Sequence, residues 1–394
     1  MAECCPCDYL PGDAVTINEE CPTEINSLDI SHDNRLVATA DGIPYIRMFE
    51  MDTGKCILNF PVKKYGADNL VWSPTDVDKM FTSSTKINND LREIAIQPRG
   101  RDPTYIKYYV GHEKHVDSMR VTRDGEKLVS SSSEESCILF WDIKTGLRTS
   151  SIRYDTKPSN YRLEGKSVLN NPPFLNINFD KDDTICAVAC RESLTIGTIK
   201  LYDVRKLESG PFKSLSIDLI SSVIESVDNA FVPPKTSGYF ITELSFDFTD
   251  IKFSPNGLWL LINTNGPSIY VINTMTFELH AIIQREISIL YSEFHVKGPE
   301  MNFSNDSLYI FGGTGYRDDG KINIWSVSSG EQVSVLETMS KEVQKVVKKN
   351  KKIKCPFNSY SFIRASTKNF LVACAGGHRI TLLSSTVEEF SPVD

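Results

Sequence analysis

The chain has 394 residues, 40% of them apolar and 10% aromatic, enough for an extended core in one large domain or in several ordinary ones. Its formal net charge of −8 argues against a surface that is one continuous nucleic-acid footprint. No apolar run approaches the roughly 18 residues of a membrane-spanning helix, and the opening Met1-Ala2-Glu3-Cys4-Cys5-Pro6-Cys7 has neither the basic nor the apolar region of a secretory signal. The cysteines are scattered. Cys186, Cys190 and Cys374 sit in apolar runs, where a thiol behaves as a small hydrophobe. This pattern suggests a reduced, intracellular protein.

In chain order, residues 1–13 read as a tail, and Ala14-Val15-Thr16-Ile17 as a short strand. A unit then recurs: an apolar run, a polar turn, a second run rich in small residues, a variable hairpin, and a third strand ending in an aromatic residue. The first copy runs from Ile25 to Ile30, through Leu36–Ala40, to Ile46–Phe49 and the turn Thr53-Gly54. The second holds Val71-Trp72-Ser73-Pro74, Met80–Ser84, Leu91–Ile96 and an outer strand Tyr105–Tyr109. The third is the clearest. Gly111-His112 precedes Val116–Val121, and Leu128–Ser131 leads to Ile138–Asp142, so Trp141-Asp142 follows Gly111-His112 at the spacing of a WD-repeat blade.

Four more copies follow. They centre on Phe174–Phe179 with Ile199–Asp203, on Ile251–Gly257 with Ile269–Ile272, on Met301–Ser304 with Ile322–Trp325, and on Tyr360–Ile363 with Phe370–Ala373 and Ile380–Leu383. The expected fold is therefore all-β, a seven-bladed WD-repeat β-propeller over residues 14–394. The last copy lacks an outer strand, so Ala14–Ile17 is expected to supply it and close the ring, removing two free sheet edges. Three connections are long enough to be insertions, near 154–172, 213–243 and 337–354. His112 is expected to pair with Trp141 inside its blade.

Several motifs fail as chemistry. Gly315-x4-Gly320-Lys321 imitates a phosphate-binding loop, but Ile322 stands where the Mg²⁺-binding Ser or Thr belongs, and a strand–turn–strand context offers no helix N-terminus. His112-Glu113-Lys114-His115 is one residue too short for the zinc-protease spacing. Cys4-x2-Cys7 with Cys21 lacks an obvious fourth zinc ligand. No G-x-S-x-G elbow occurs, and no titratable groups converge visibly on the channel. The expectation is a chain without enzymatic activity, cofactor, metal or small-molecule substrate.

Other segments are not demanded by the repeat. They are Lys63-Lys64-Tyr65-Gly66-Ala67-Asp68, Ser83–Arg92, Tyr105–His112, Ile199–Arg205 with Gly210-Pro211-Phe212, and Leu261–Gly266. In these the chain resembles the Swd-two type WD-repeat subunits of COMPASS histone methyltransferase complexes, whose animal counterpart is WD-repeat protein eighty-two. The resemblance runs roughly from the first blade to the end. It departs at the cysteine-bearing tail, the 213–243 insertion and the lysine-rich insertion.

The resemblance implies a nuclear scaffold serving chromatin modification and transcription termination. Its implied partners are methyltransferase subunits, subunits of the cleavage and polyadenylation factor with its phosphatase module, and, through the complex, the phosphorylated tail of RNA polymerase II. Lys63, Lys64, Tyr65 and Arg92 are the expected partner contacts. Lys345, Lys348, Lys349, Lys351 and Lys352 form a possible basic patch, for nuclear import or for an acidic partner. The competing expectation is an adaptor of another complex, such as a ubiquitin-ligase receptor or a ribosome-assembly propeller.

Overall fold

The computed structural model describes residues 14–16, 25–42, 45–86, 90–95, 104–154, 162–163, 166–167, 174–193, 195–219, 246–285, 300–313, 321–337, 362–365, 372–376 and 379–383. Among the described residues it is all-β apart from one short 3-10 turn, Leu207–Ser209. No described helix is long and apolar enough to cross a membrane.

Six antiparallel sheets are each built from four consecutive strands. Blade one is Ile25–Ile30, Leu36–Asp41, Tyr45–Glu50 and Cys56–Pro61; blade two is Leu70–Trp72, Lys79–Ser83, Leu91–Ala95 and Thr104–Tyr109. Blade three is Ser118–Val121, Lys127–Ser132, Cys137–Asp142 and Arg148–Arg153; blade four is Asn176–Phe179, Ile185–Arg191, Ile196–Asp203 and Lys213–Asp218. Blade five is Phe248–Phe253, Trp259–Thr264, Ser268–Asn273 and Glu278–Gln284; blade six is Met301–Phe303, Tyr309–Gly313, Lys321–Ser326 and Gln332–Glu337. From blade one to blade five the first strands of neighbouring blades lie against one another, which makes them the innermost.

The seventh copy is not equivalent to these six. It contributes three strands, Phe362–Ala365, Val372–Gly376 and Arg379–Leu383. A fourth, Ala14–Thr16, joins from the other end of the chain, with Ala14 opposite Leu383 and Thr16 opposite Thr381. The count of seven like copies is thus corrected to six contiguous blades and one mixed sheet. The strand Phe362–Ala365 lies against the first strands of both blade six and blade one.

Side-chain alternation explains the architecture. Successive residues of a strand point to opposite faces, and here both faces are covered. In blade five Leu260, Ile262, Tyr270 and Ile272 pack toward Ala187, Ile199 and Leu201 of blade four. Their alternates Leu261, Ile269 and Val271 pack toward Met301, Phe303, Ile310 and Trp325 of blade six. This is why the middle strands read as continuous apolar runs. Each such Leu or Ile, fully buried, contributes about 1.5–3 kcal/mol relative to exposure.

One further expectation is corrected. Lys213–Asp218 is not the start of an insertion; it is the outer strand of blade four, pairing Ile199 with Leu215. The outer strands Cys56–Pro61, Arg148–Arg153, Glu278–Gln284 and Gln332–Glu337 went unread because only one of their faces is covered and their composition is mixed. Of the 154–172 insertion, Tyr154 is described together with a two-stranded ribbon, Arg162–Leu163 with Lys166–Ser167. The N-terminal cysteines and residues 338–354, with all five lysines of the basic patch, lie outside the described residues.

Candidate functional site

The Lys63-Lys64-Tyr65-Gly66 segment is a tight turn between blades one and two. Tyr65 N and Gly66 N both donate to Val62 O, at 3.2 and 2.8 Å. Gly66 has φ 73, and a Cβ there would sit 1.8 Å from Thr85 Oγ1, so only glycine serves. The turn is tied to the Ser83–Lys86 hairpin. Ser84 Oγ donates to Tyr65 O at 2.7 Å, Thr85 N donates to the same oxygen at 3.2 Å, and Lys86 Nζ donates to Lys63 O. The segment therefore has a fold reason after all, and that reason presents Lys63, Lys64 and Lys86 to solvent.

Beneath the turn lies Arg92. Its strand pairs Arg92 with Tyr108, Glu93 with Lys107 and Ile94 with Tyr105, with a bulge between Glu93 and Ile94. The extra residue shifts the parity of the outer strand, so Tyr105 and Tyr108 share a face with Arg92. The three tyrosines converge, with Tyr65 centred 5.4 Å from Tyr105 and 6.0 Å from Tyr108. The Arg92 guanidinium lies 3.5 Å from the Tyr65 ring centre and 5.7 Å from that of Tyr108, while Lys64 Nζ lies 4.8 Å above Tyr65. The hydrogen bond from Lys64 holds the Tyr65 phenol below its ordinary pKa, and the bond to Tyr65 lifts that of Tyr108.

Arg92 is 0% exposed. Nη1 donates to Asp90 O at a long 3.3 Å, and Nε and Nη2 have no partner among the described residues. Burial pulls its pKa down, yet a guanidinium keeps its proton at neutral pH. Cation–π contact supplies about 0.5–2 kcal/mol, less than the several kcal/mol that leaving an ionic group dry and unpaired costs. The structure thus brings all four sequence-named residues together, with Arg92 buried beneath Tyr65 rather than at the surface. Sequence reasoning missed Tyr105, Tyr108 and Lys86 in this cluster.

Next to this cluster, blade three carries a buried polar network. His112 and Trp141 do pair, ring edge to ring face with centres 6.3 Å apart, and their nitrogens Nε2 and Nε1 share Ser130 Oγ, at 2.8 and 2.9 Å. Ser130 was the missed member. Glu135 accepts from Glu113 N and Lys114 N at 2.5 Å each, and also meets His112 Nδ1 and Cys137 Sγ at 3.2 Å. Donor atoms of His112, Glu135 and Cys137 lie within 4.8 Å of one another, a spacing a metal ion could use. The chemistry favours a hydrogen-bonded network instead. Burial and the Glu135 carboxylate push the Cys137 thiol up to about 12, burial lowers the His112 pKa, and Glu135 is committed to backbone amides.

His115 links the same two blades. Nε2 meets Asp68 at 2.9 Å and Nδ1 meets Asp117 at 3.5 Å, and Asn69 Nδ2 donates to Val116 O at 2.7 Å. Hydrogen bonds to Asp117 and Asp68 raise the His115 pKa to about 10. A pKa raised on folding means stability fully present below the unfolded value, near 6.5, and lost as pH rises through about 10. The expected result is that wild type and His115→Gln converge in urea midpoint between pH 8 and pH 10.5. A gap that stays constant over that range would rule out the ionic link.

Among the first strands the structure differs from expectation, because titratable groups do converge there. Arg120 of blade three reaches Asp250 of blade five at 2.9 Å, and Lys252 lies 3.1 Å from Asp250 and 3.8 Å from Glu300. Lys252 Nζ also donates to Met301 O at 2.6 Å. Each charge has an opposite neighbour, so the group is a closed ion-pair network rather than a set of poised acids and bases. A cavity of about 280 Å³ adjoins it, lined by Arg120, Arg123, Asn178, Asp183 and Asn302 among others.

The family model "WD domain, G-beta repeat" matches residues 103–142. That span takes the outer strand of blade two and three strands of blade three. Sequence repeat and blade are therefore out of phase by one strand. Over 315 residues the chain is 24% identical to "WD repeat-containing protein 82" of Drosophila melanogaster, covering 79% of this chain and 80% of that one. It is 22% identical over 312 residues to "COMPASS component SWD2" of Saccharomyces cerevisiae, covering 79% of each. It is 22% identical over 256 residues to "Set1 complex component swd2" of Schizosaccharomyces pombe, covering 65% and 58%. The chain is a WD-repeat β-propeller that resembles the Swd2-type WD-repeat proteins over some four fifths of its length.

Proposed function

We propose that the chain is a non-catalytic scaffold subunit of a COMPASS/Set1-type complex that methylates lysine 4 of histone three in the nucleus. The observation that carries this is the similarity to proteins named as COMPASS and Set1 complex components, over 79% and 65% of this chain. The same subunit would serve the cleavage and polyadenylation factor through its phosphatase module, and so meet the phosphorylated polymerase tail through the complex. A preformed disc limits the ordering cost of binding to the partner's side. The closed charge network at the channel fits a scaffold better than an enzyme.

In this reading the mixed sheet acts as a seventh blade. Its Ile380 and Leu382 pack with Leu28, Val37 and Phe49 of blade one, which supports closure of the ring by Ala14–Thr16. Residues 1–13 are then a tail and 14–394 one domain. Deleting residues 1–20 is expected to abolish soluble expression; a truncated chain that stays folded overturns closure by this strand.

Lys63, Lys64 and Tyr65 form the partner face, with the lysines of 345–352 as a second basic contact. Affinity purification of the tagged full chain with mass spectrometry is expected to recover methyltransferase and 3′-end-processing subunits. Recovery of ubiquitin-ligase or ribosome-assembly factors in their place rejects the assignment. Lys64→Glu, at an exposed position, is expected to cut recovery about tenfold by reversing a contact charge. Undiminished recovery moves the interface elsewhere.

A further inference from the structure

We infer that Arg92 is the base of an oxyanion pocket that receives one acidic side chain of a partner peptide. This rests on the partner-face reading above and names the chemistry of that face. The two unpartnered donors, Nε and Nη2, lie on one edge of the guanidinium. That edge is the parallel pair of N–H groups that matches the two oxygens of a carboxylate, or two oxygens of a phosphate. Nη1 is engaged with Asp90 O and the ring of Tyr65 covers one face of the group, which leaves the Nε/Nη2 edge as the unused side.

The surroundings suit an anion. Lys63, Lys64 and Lys86 stand exposed around the turn that carries Tyr65, on a chain whose net charge is −8. The pocket is closed when empty, since Arg92 is 0% exposed. The Tyr65 ring that covers the guanidinium face belongs to a surface turn, with Lys64 on that ring, so the bound anion would displace a tyrosine lid rather than open the sheet. The bulge that puts Tyr105 and Tyr108 on one face supplies the walls.

The outer strand beside the pocket exposes Ile106, Tyr108 and Val110, at 46%, 43% and 70%. These offer apolar contact to residues flanking the acid. A nucleic acid would need a track of repeated phosphate contacts, whereas this is one deep cation edge beside an apolar strand. The fitting ligand is a peptide with an acidic residue next to an apolar one.

The test pans a random twelve-residue peptide library on the immobilised full chain. The expected result is enrichment of Asp or Glu at one fixed position beside an apolar residue. Two variants should lose that enrichment: Lys64→Glu, which is exposed and should keep the wild-type melting temperature, and Arg92→Lys, which keeps the charge and removes the fork. A selected peptide is then measured by fluorescence anisotropy with Glu, Gln or phosphoserine at the acidic position. Gln should weaken binding about tenfold or more, as expected for loss of a bidentate charged pair. Phosphoserine binding about tenfold tighter than Glu assigns the pocket to phosphate; equal or weaker binding assigns it to carboxylate.

No acidic position in the wild-type selection overturns the pocket, as does enrichment that survives both variants. If methyltransferase subunits co-purify and no acid is selected, the pocket alone fails. If an acid is selected and those subunits are absent, the pocket stands with a different partner.

Discussion

Trp141→Ala is expected to lower the unfolding free energy by about 3–5 kcal/mol, the range for truncating a buried aromatic. Trp141 is 1% exposed and lies in the seam between blades two and three with Tyr109, Met119, Leu128 and Leu139. Its ring centre is 6.0 Å from that of Tyr109. The alanine leaves a void in that seam and removes the donor to Ser130 Oγ. Gly111 confirms how tightly the ring is held, because a Cβ there would meet Trp141 at 2.8 Å. Equilibrium urea unfolding, followed by circular dichroism or by the remaining tryptophan fluorescence, checks this. A loss under about 1 kcal/mol would mean that the seam repacks, contrary to the rigid interior described here.

The second large effect is expected at the seam of blades four and five. Asp247 is fully buried and meets Arg191 Nε at 2.5 Å. Burial raises the Asp247 pKa to about 6 against the pull of Arg191. Because the folded value lies above the ordinary 3.8, the folded state binds this proton more tightly than the unfolded chain does. The group's contribution therefore improves as pH falls from above 6 toward 3.8, the reverse of an ordinary salt-bridged aspartate. Arg191→Met removes the cation that offsets the buried charge. The expected cost is about 3–5 kcal/mol at pH 8, the range for breaking one side of a buried pair. The cost should shrink at pH 5, where the carboxyl takes up a proton. Urea unfolding at the two pH values decides, and an equal cost at both would show that Asp247 stays ionised whatever its neighbour.

The two effects differ in how visible they were beforehand. Trp141 stood out because it ends an apolar run at a fixed distance from Gly111-His112. Asp247 carried no signal, since Arg191 and Asp247 belong to different blades with the unread outer strand of blade four between them. The same holds at the channel, where Arg120 and Asp250 are 130 residues apart and pair only because first strands meet at the centre. A search for convergent charges along the sequence could not find them.

At the Tyr65 turn the sequence singled out Lys63, Lys64, Tyr65 and Arg92 by resemblance. It treated them as four surface contacts, because nothing in a linear pattern tells an exposed arginine in a strand from a buried one. Strict alternation would also have put Tyr105 and Tyr108 on opposite faces. One bulged residue reversed that, and with it came the tyrosine cluster and the unsatisfied guanidinium edge.

What the sequence determined by itself is the repeating sheet. Apolar middle strands at a regular interval can be covered on both faces only by neighbours like themselves, so stacking was legible from alternation and turn chemistry alone. Tertiary structure decided the rest. It fixed the register in which Ala14–Thr16 meets Arg379–Leu383, with Ala14 opposite Leu383. It set Ser130 between His112 and Trp141, and it placed Arg92 under Tyr65. Each of these depends on where a strand edge or a side chain ends up in space, which local periodicity does not encode.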